Sequence, residues 1–418
     1  MKEVFFDRDF QKLFLANLFS GFGQGMTMIG ISWYLVTETG SAKQLGTTMF
    51  VSAILMFLLG PYVGTLIDRF PRKTILLVEN AVGFVILFAL ALWGFCAPYG
   101  HWMLISLFIV TTLIFQVHYP TQSALVQEKF EERHYRSINS LLEIESQTAS
   151  VLAGGAAGLV LGRYGLPVVL LFDALTYLLA LLLISRMNYV FTLEKHVRKS
   201  PETGWLMQFA QSWRYIKEKR GFLLFGVSVF MPFIAVMVGN LLAPVFVAQT
   251  LRADALIYSL HEMTYAIGAV AAGFLVTGMS KWLGEVRSLV GNTLLFAAAM
   301  TAVVVFPYGW AYVALTTLFG WCNASVRLVR QNLYMVIVPN HLMGRVLSFF
   351  QLVGMMMRLS LIGLCTLTID YTGAGTGYLV LAGLLVLAAW GAHTSTRLLL
   401  PSSVQSAATP QAKAIHRS

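Results

Sequence analysis

Apolar runs of about 20 residues or more recur along this chain, separated by short polar or charged breaks, a spacing that fits repeated crossing of a bilayer. Hydrocarbon offers no partner for backbone N–H and C=O groups, so each span has to be a helix that satisfies itself. The runs predict twelve helices, at roughly 10–37, 45–67, 74–96, 102–126, 138–162, 167–186, 221–249, 256–279, 288–306, 310–337, 346–369 and 377–399. The expected fold is an all-α membrane protein with twelve transmembrane helices in two six-helix halves. Short links such as Cys96-Ala97-Pro98-Tyr99-Gly100 and Pro307-Tyr308-Gly309 force consecutive helices to be antiparallel neighbours. One link is long. Residues 187–220 separate an N-terminal half, 1–186, from a second half, 221–400, and 401–418 form a tail. Within the link Trp205, Leu206, Phe209, Trp213 and Ile216 recur at helical spacing beside Arg214 and Lys217, which suits an amphipathic helix lying in the membrane interface.

A length of 418 residues would accommodate two or three soluble domains, but 57% apolar against 11% charged residues excludes that. The net charge of +10 resembles that of a nucleic-acid binder until the charges are placed. Of 29 Lys and Arg, only Lys43, Arg163 and Arg252 fall in one set of alternate loops, and Arg327, Arg330 and Arg358 fall inside helices. The others crowd the N-terminus, the tail and the opposite loops, so that side is cytoplasmic and both termini face it. A multi-pass protein of the cytoplasmic (inner) membrane follows, with no nucleic acid as partner. Cys96, Cys322 and Cys365 show no paired spacing, so neither a disulfide framework nor a metal site is indicated. Met1 to Lys12 is charged and offers no small-residue cleavage site, so the first span is expected to stay uncleaved.

The most informative break is Gly64 to Lys73, Gly-Thr-Leu-Ile-Asp-Arg-Phe-Pro-Arg-Lys, whose charges must sit in headgroups or water. It resembles the loop after the second helix of major facilitator transporters, Gly-x-x-x-Asp-Arg-x-Gly-Arg-Arg/Lys. Gly64, Asp68, Arg69, Arg72 and Lys73 match, and Pro71 stands where most members carry Gly. Pro120-Thr-Gln-Ser-Ala124-Leu125-Val126 with Arg136-Ser-Ile-Asn139-Ser-Leu141 is similar to the helix 4–5 region of bacterial multidrug exporters. Pro339-Asn-His-Leu-Met-Gly344-Arg345-Val346 and His261-Glu262-Met-Thr-Tyr-Ala-Ile-Gly268 resemble the enterobactin exporter and macrolide-efflux branch of proton-coupled exporters. The halves also echo each other weakly: His118, Gln122 and Arg136 fall opposite Arg327, Gln331 and Arg345 at one constant offset. Such parallel repeats place a transport site near mid-membrane. The resemblance implies a secondary transporter, with Gly64, Asp68, Arg69 and Arg72 as a cytoplasmic latch between helices 2 and 11. Helix 4 departs from many proton antiporters in having no arginine, only Gln116 and His118.

Glu143, Glu145, Asp173, Glu262, Arg327, Arg330 and Arg358 fall within spans, and each costs about 2.5–3.5 kcal/mol at a helix centre if left alone. They must pair, neutralise or face water. Polar stripes at helical spacing say which helices are wet: Asn17 with Gln24, Asn139 with Glu143 and Gln147, Asn323 with Arg327 and Arg330, and Gln351 with Arg358. Helices 3, 9 and 12 read as almost bare. His118 and Arg327 lie about eight residues, hence roughly 12 Å, from the cytoplasmic ends of their helices. Arg327 and Arg358 either pair with Glu143 or Glu145 as structural ion pairs or grip carboxylates with their planar forks.

The second reading predicts a small-molecule anion as cargo. Arg327, Arg358, His118, Gln24, Asn323, Gln116, Asn17 and Gln351 are the expected substrate contacts, and Glu143 or Glu262 the proton carrier. Arg330 is expected to snorkel to the surface, and Asp173 to pack helices through hydrogen bonds. Gly154, Gly158 and Gly162 predict a close-packing face on helix 5. Ser20-Gly21-Phe22-Gly23-Gln24-Gly25 imitates a dinucleotide loop, but without a preceding strand it marks close helix approach. No Gly-x-x-x-x-Gly-Lys-Ser/Thr exists, so ATP is not the direct drive, and no cofactor is expected. No nucleophile–base pair points to an enzyme. The leading expectation is a monomeric proton-coupled exporter of a bulky anionic metabolite such as a siderophore. Siderophore uptake, and multidrug or macrolide efflux of cationic or neutral amphiphiles, are the rivals.

Overall fold

The computed structural model describes residues 2–38, 40–189 and 213–399. Among them every regular element is helical. The long helices are α1 (Arg8–Thr37), α2 (Ala42–Arg69), α3 (Arg72–Cys96) and α4 (His101–Lys129), then Tyr135–Ser185, broken at Gly165 into α5 (135–164) and α6 (166–185). In the second half come α7 (Phe222–Val245), α8 (Ala255–Leu283), α9 (Glu285–Val305) and α10 (Gly309–Ile337). Asn340–Leu399 is broken at Gly373 into α11 (340–372) and α12 (374–399). These are the twelve predicted spans, most running a few residues further than expected.

Local chemistry explains the ends. The Asp7 carboxylate accepts from the N–H groups of Asp9 and Phe10 and caps α1. Pro71 sits just ahead of α3 at φ −58°, an angle its ring prefers. Gly165 (φ 77°) and Gly373 (φ 74°) take left-handed angles that a side chain would strain. Eight helices pass on length and apolarity as membrane spans, with each broken pair counted once. The long helices α1 and α10 do not, since polar side chains (Asn17, Ser20, Gln24; Asn323, Arg327, Arg330) interrupt them.

The chain forms two compact units. The first holds Met1–Glu194, Pro244–Met263 and Thr366–Asp370, and the second Lys195–Ala243, Thr264–Cys365 and Tyr371–Ser418. In the first, Gly21 lies on Ala149, Gly25 on Ala153 and Gly30 on Leu161, following α5. Contacts then run backwards along α6: Gly30 with Leu166 and Val169, Gly23 with Asp173 and Thr176. The chain therefore reverses at Gly165, and α1 is held between α5 and α6. The glycine-rich stretch of α1 is a close-approach surface, as expected. Within the second unit α7 plays the same part: Gly226 meets Phe350 and Phe230 meets Gly354 on α11, whereas Leu242 meets Gly377 and Ser228 meets Gly391 on α12.

The expected glycine face on α5 is present at two of its three positions. Gly154 presses on the backbone of Met263 and Gly158 on Ala255, Leu256 and Ser259, but Gly162 faces open space. Asp173 is fully buried, accepts from the Thr176 hydroxyl and crowds Gly23, the packing role expected. At the charged end of the first unit, Phe10, Leu13, Leu76, Leu125, Ile138 and Ile184 share one core. Lys73 donates to the carbonyls of Ser185 and Met187, and Lys12 to that of Arg186, tying the end of α6 down. Of the predicted amphipathic helix, residues 213–218 are helical with Ile216 buried, and Trp205, Leu206 and Phe209 lie outside the described residues. Tyr215 within it and Lys219 just beyond it both donate to the Ile337 carbonyl at the end of α10.

Candidate functional site

Helix α3 corrects the sequence reading, for it is not bare. Glu79 and Asn80 are both buried on it. Asn80 satisfies its amide on the Leu76 carbonyl one turn back. Glu79 instead reaches α4, where its Oε1 lies 2.5 Å from His118 Nδ1, and its Oε2 finds no hydrogen-bond partner among the described residues. The helix bases are set by the loops on either side, so the pair is brought together by packing and not by sequence proximity.

His118 opens onto a cavity of ≈ 150 Å³ that lies wholly within the first unit. Its walls come from four helices: Asn17, Ser20 and Gln24 on α1, His118, Tyr119 and Gln122 on α4, Glu145 and Ser146 on α5, and Tyr177 on α6. Gln24 donates to the Thr111 carbonyl, and the Tyr119 and Ser146 hydroxyls pair across the mouth. Asn17 is 3% exposed, and neither amide atom has a partner among the described residues. Glu145 is 5% exposed. A site with the Glu145 carboxylate and the His118 imidazole in its walls, Glu79 in contact behind that imidazole, and no Lys or Arg lining it is suited to protons or cations rather than to anions.

Of the residues expected to hold substrate, Asn17, Gln24 and His118 share this cavity, and Gln116 on α4 is not among its walls. Asn323, Arg327, Gln351 and Arg358 belong to the second unit. Asn323 donates to the Tyr265 hydroxyl, Arg327 and Gln351 are exposed, and Arg358 is half-buried with its Nε lacking a hydrogen-bond partner. No carboxylate lies within ion-pair distance of Arg358 among the described residues. Arg330 stacks its guanidinium 4.1 Å over the Phe230 ring and reaches the Val229 carbonyl, a cation–π seat where snorkelling was expected.

The two expected proton carriers stand apart from the cavity. Glu143 is exposed and accepts from Gln147 on its own helix. Glu262 is half-buried, 3.7 Å from His261, whose ring stacks on Tyr258. In the hairpin, Gly64, Asp68 and Arg69 are exposed, whereas Arg72 lies 3.7 Å from Glu128, which also accepts from the Tyr189 hydroxyl.

Sequence reasoning passed over Glu79 and offered Glu145 only as an ion-pair partner for Arg327 or Arg358. The signal for Glu79 was present: a lone carboxylate between Val78 and Asn80 in an otherwise apolar span is costly enough to demand a reason. Nothing in the spacing paired it with His118, which is 39 residues away.

The chain matches the Major Facilitator Superfamily over residues 13–360. It is 22% identical over 360 residues to the staphyloferrin A transporter of Staphylococcus aureus (strain NCTC 8325 / PS 47), covering 82% of this chain and 85% of that protein. It is 20% identical over 378 residues to macrolide efflux protein A of Streptococcus pyogenes, covering 87% and 92%. Among solved structures it is similar to the nucleoside transporter NupG, with TM-score 0.70 at 12% identity over 94% of this chain and 99% of that one. Helical spans, the charged hairpin and the family match agree, and the chain belongs to the Major Facilitator Superfamily.

Proposed function

We propose that this transporter is a proton-coupled exporter of a bulky anionic metabolite such as a siderophore, with both termini in the cytoplasm. The observation that carries the reading is Arg358, a guanidinium in an apolar helix with no carboxylate beside it. An unpaired charge at the centre of a spanning helix costs about 2.5–3.5 kcal/mol, and a carboxylate passing beside it supplies the missing partner through a two-point bond. Arg327, exposed on the same unit, is the second contact. A relative named as a staphyloferrin A transporter supports this substrate class. With the cytoplasm negative, moving an anion outward is favourable by about 2.3 kcal/mol per charge per 100 mV, which favours export over uptake.

A second reading, efflux of a cationic or neutral amphiphile, draws on the acidic cavity of the first unit and on the relative named macrolide efflux protein A. Accumulation in inside-out vesicles separates the two, using labelled staphyloferrin A and a labelled macrolide with and without an acid-inside pH gradient. Staphyloferrin A accumulating only with the gradient is the expected result. Arg358→Gln should lower it about tenfold, one bidentate contact's share of binding, with folded yield unchanged. Accumulation of the macrolide alone overturns the anion reading.

A further inference from the structure

We propose that Glu79, His118 and Glu145 form the proton-carrying site of this transporter, with the Asn17 amide and the adjoining cavity connecting them to water. The inference rests on the proton-coupled reading and assigns it to residues other than Glu143 and Glu262.

The geometry has three parts. Glu79 and His118 are in contact across α3 and α4, and both are largely withdrawn from solvent. Glu145 stands in the wall of the cavity that His118 opens onto, on a third helix. Asn17, nearly fully buried on α1, turns an unpartnered donor and acceptor to the same space. A cavity of ≈ 150 Å³ with these polar walls has room for several waters.

Counting charges shows why protons belong there. The titratable groups around His118 are Glu79 from α3, Tyr119 from its own helix, Glu145 from α5 and Tyr177 from α6, with Asp173 behind Tyr177 and Glu143 further along α5. Helix α1 contributes amides and hydroxyls only. With both glutamates ionised and the imidazole protonated, the three carry one net negative charge, and one more proton makes them neutral. In the loading step a carboxylate oxygen takes a proton from a hydronium ion in the cavity, forming one O–H bond and leaving water. Release to water on the other side reverses it. The neutral, loaded set tolerates a dry cavity, and the ionised set calls for a wet one. Hydration of the cavity is thus tied to proton occupancy.

Two measurements test this. In the first, purified protein without substrate is titrated from about pH 5 to 8 and the carboxylic acid C=O absorption is followed by infrared spectroscopy. The acid band should titrate in the wild type and be missing in Glu145→Gln or Glu79→Gln. A band that titrates unchanged in both variants overturns the proposal. In the second, proteoliposomes report labelled staphyloferrin A exchange without a gradient and accumulation with one. The ratio of gradient-driven accumulation to exchange should fall tenfold or more in each variant. Parallel loss of both, with the ratio intact, means a structural pair and overturns the proposal. A wild type indifferent to the gradient removes the proton-coupled reading itself, a different result from variants that keep the wild-type response. If staphyloferrin A is not carried, the infrared titration decides alone.

Discussion

Asp9 sits in the first turn of α1, ahead of the apolar run, and gathers Lys129, Lys12 and the Asn188 N–H around one carboxylate. Burial alone would raise its pKa, but hydrogen bonds from Lys129 and Lys12 outweigh it and hold the group at about 2. A depressed carboxylate stabilises the fold above its unfolded pKa of about 4 and loses that contribution as pH falls toward the folded value. Asp9→Asn should therefore cost roughly 1 kcal/mol at neutral pH after allowance for solvent screening, and thermal melts should show the gap closing on acidification toward pH 4 and below. Residues of this kind are only half legible in sequence. Asp9, Lys12 and Lys129 could be placed at one membrane face by charge bias, but their convergence on one point depends on how α1, α4 and α6 pack. Glu79 and His118 are the same case inside the membrane: each stands out alone on its helix, and only the fold makes them a pair.

Glycine spacing gave the elements their expected contacts, and the structure sorts those positions by consequence. A Cβ at Gly158 runs into the Ala255 carbonyl and Leu256, whereas one at Gly162 meets nothing. Gly158→Ala is expected to destabilise the protein by about 1–3 kcal/mol through forced backbone shifts. Gly162→Ala should be neutral or gain up to about 1 kcal/mol from helix propensity. Fluorescence-detected thermal unfolding in detergent measures both. Gly373→Ala should cost about 1–2 kcal/mol because the alanine must hold a left-handed angle. The four-residue repeat was visible in the sequence, but nothing in it distinguishes the position that meets a neighbour from the one that does not.

At the scale of the whole molecule, the twelve spans were readable because hydrocarbon imposes length and apolarity on every crossing, and the charged loops predict a sidedness. Of the four helices with polar stripes, α1 and α10 are the long ones whose stripes keep them from qualifying as apolar spans, whereas α5 and α11 lie in segments that qualify. The buried acid of α3 was hidden by the very apolarity around it. With both termini inside, as proposed, fluorescent protein fused after Ser418 should fluoresce, and alkaline phosphatase at the same point should be inactive; the reverse pair of signals removes the orientation. The abrupt reversals at Gly165 and Gly373 then fall on the outer surface, and at each corner the chain turns on a single glycine between two helices. Neither corner offers slack backbone for a protease to cut.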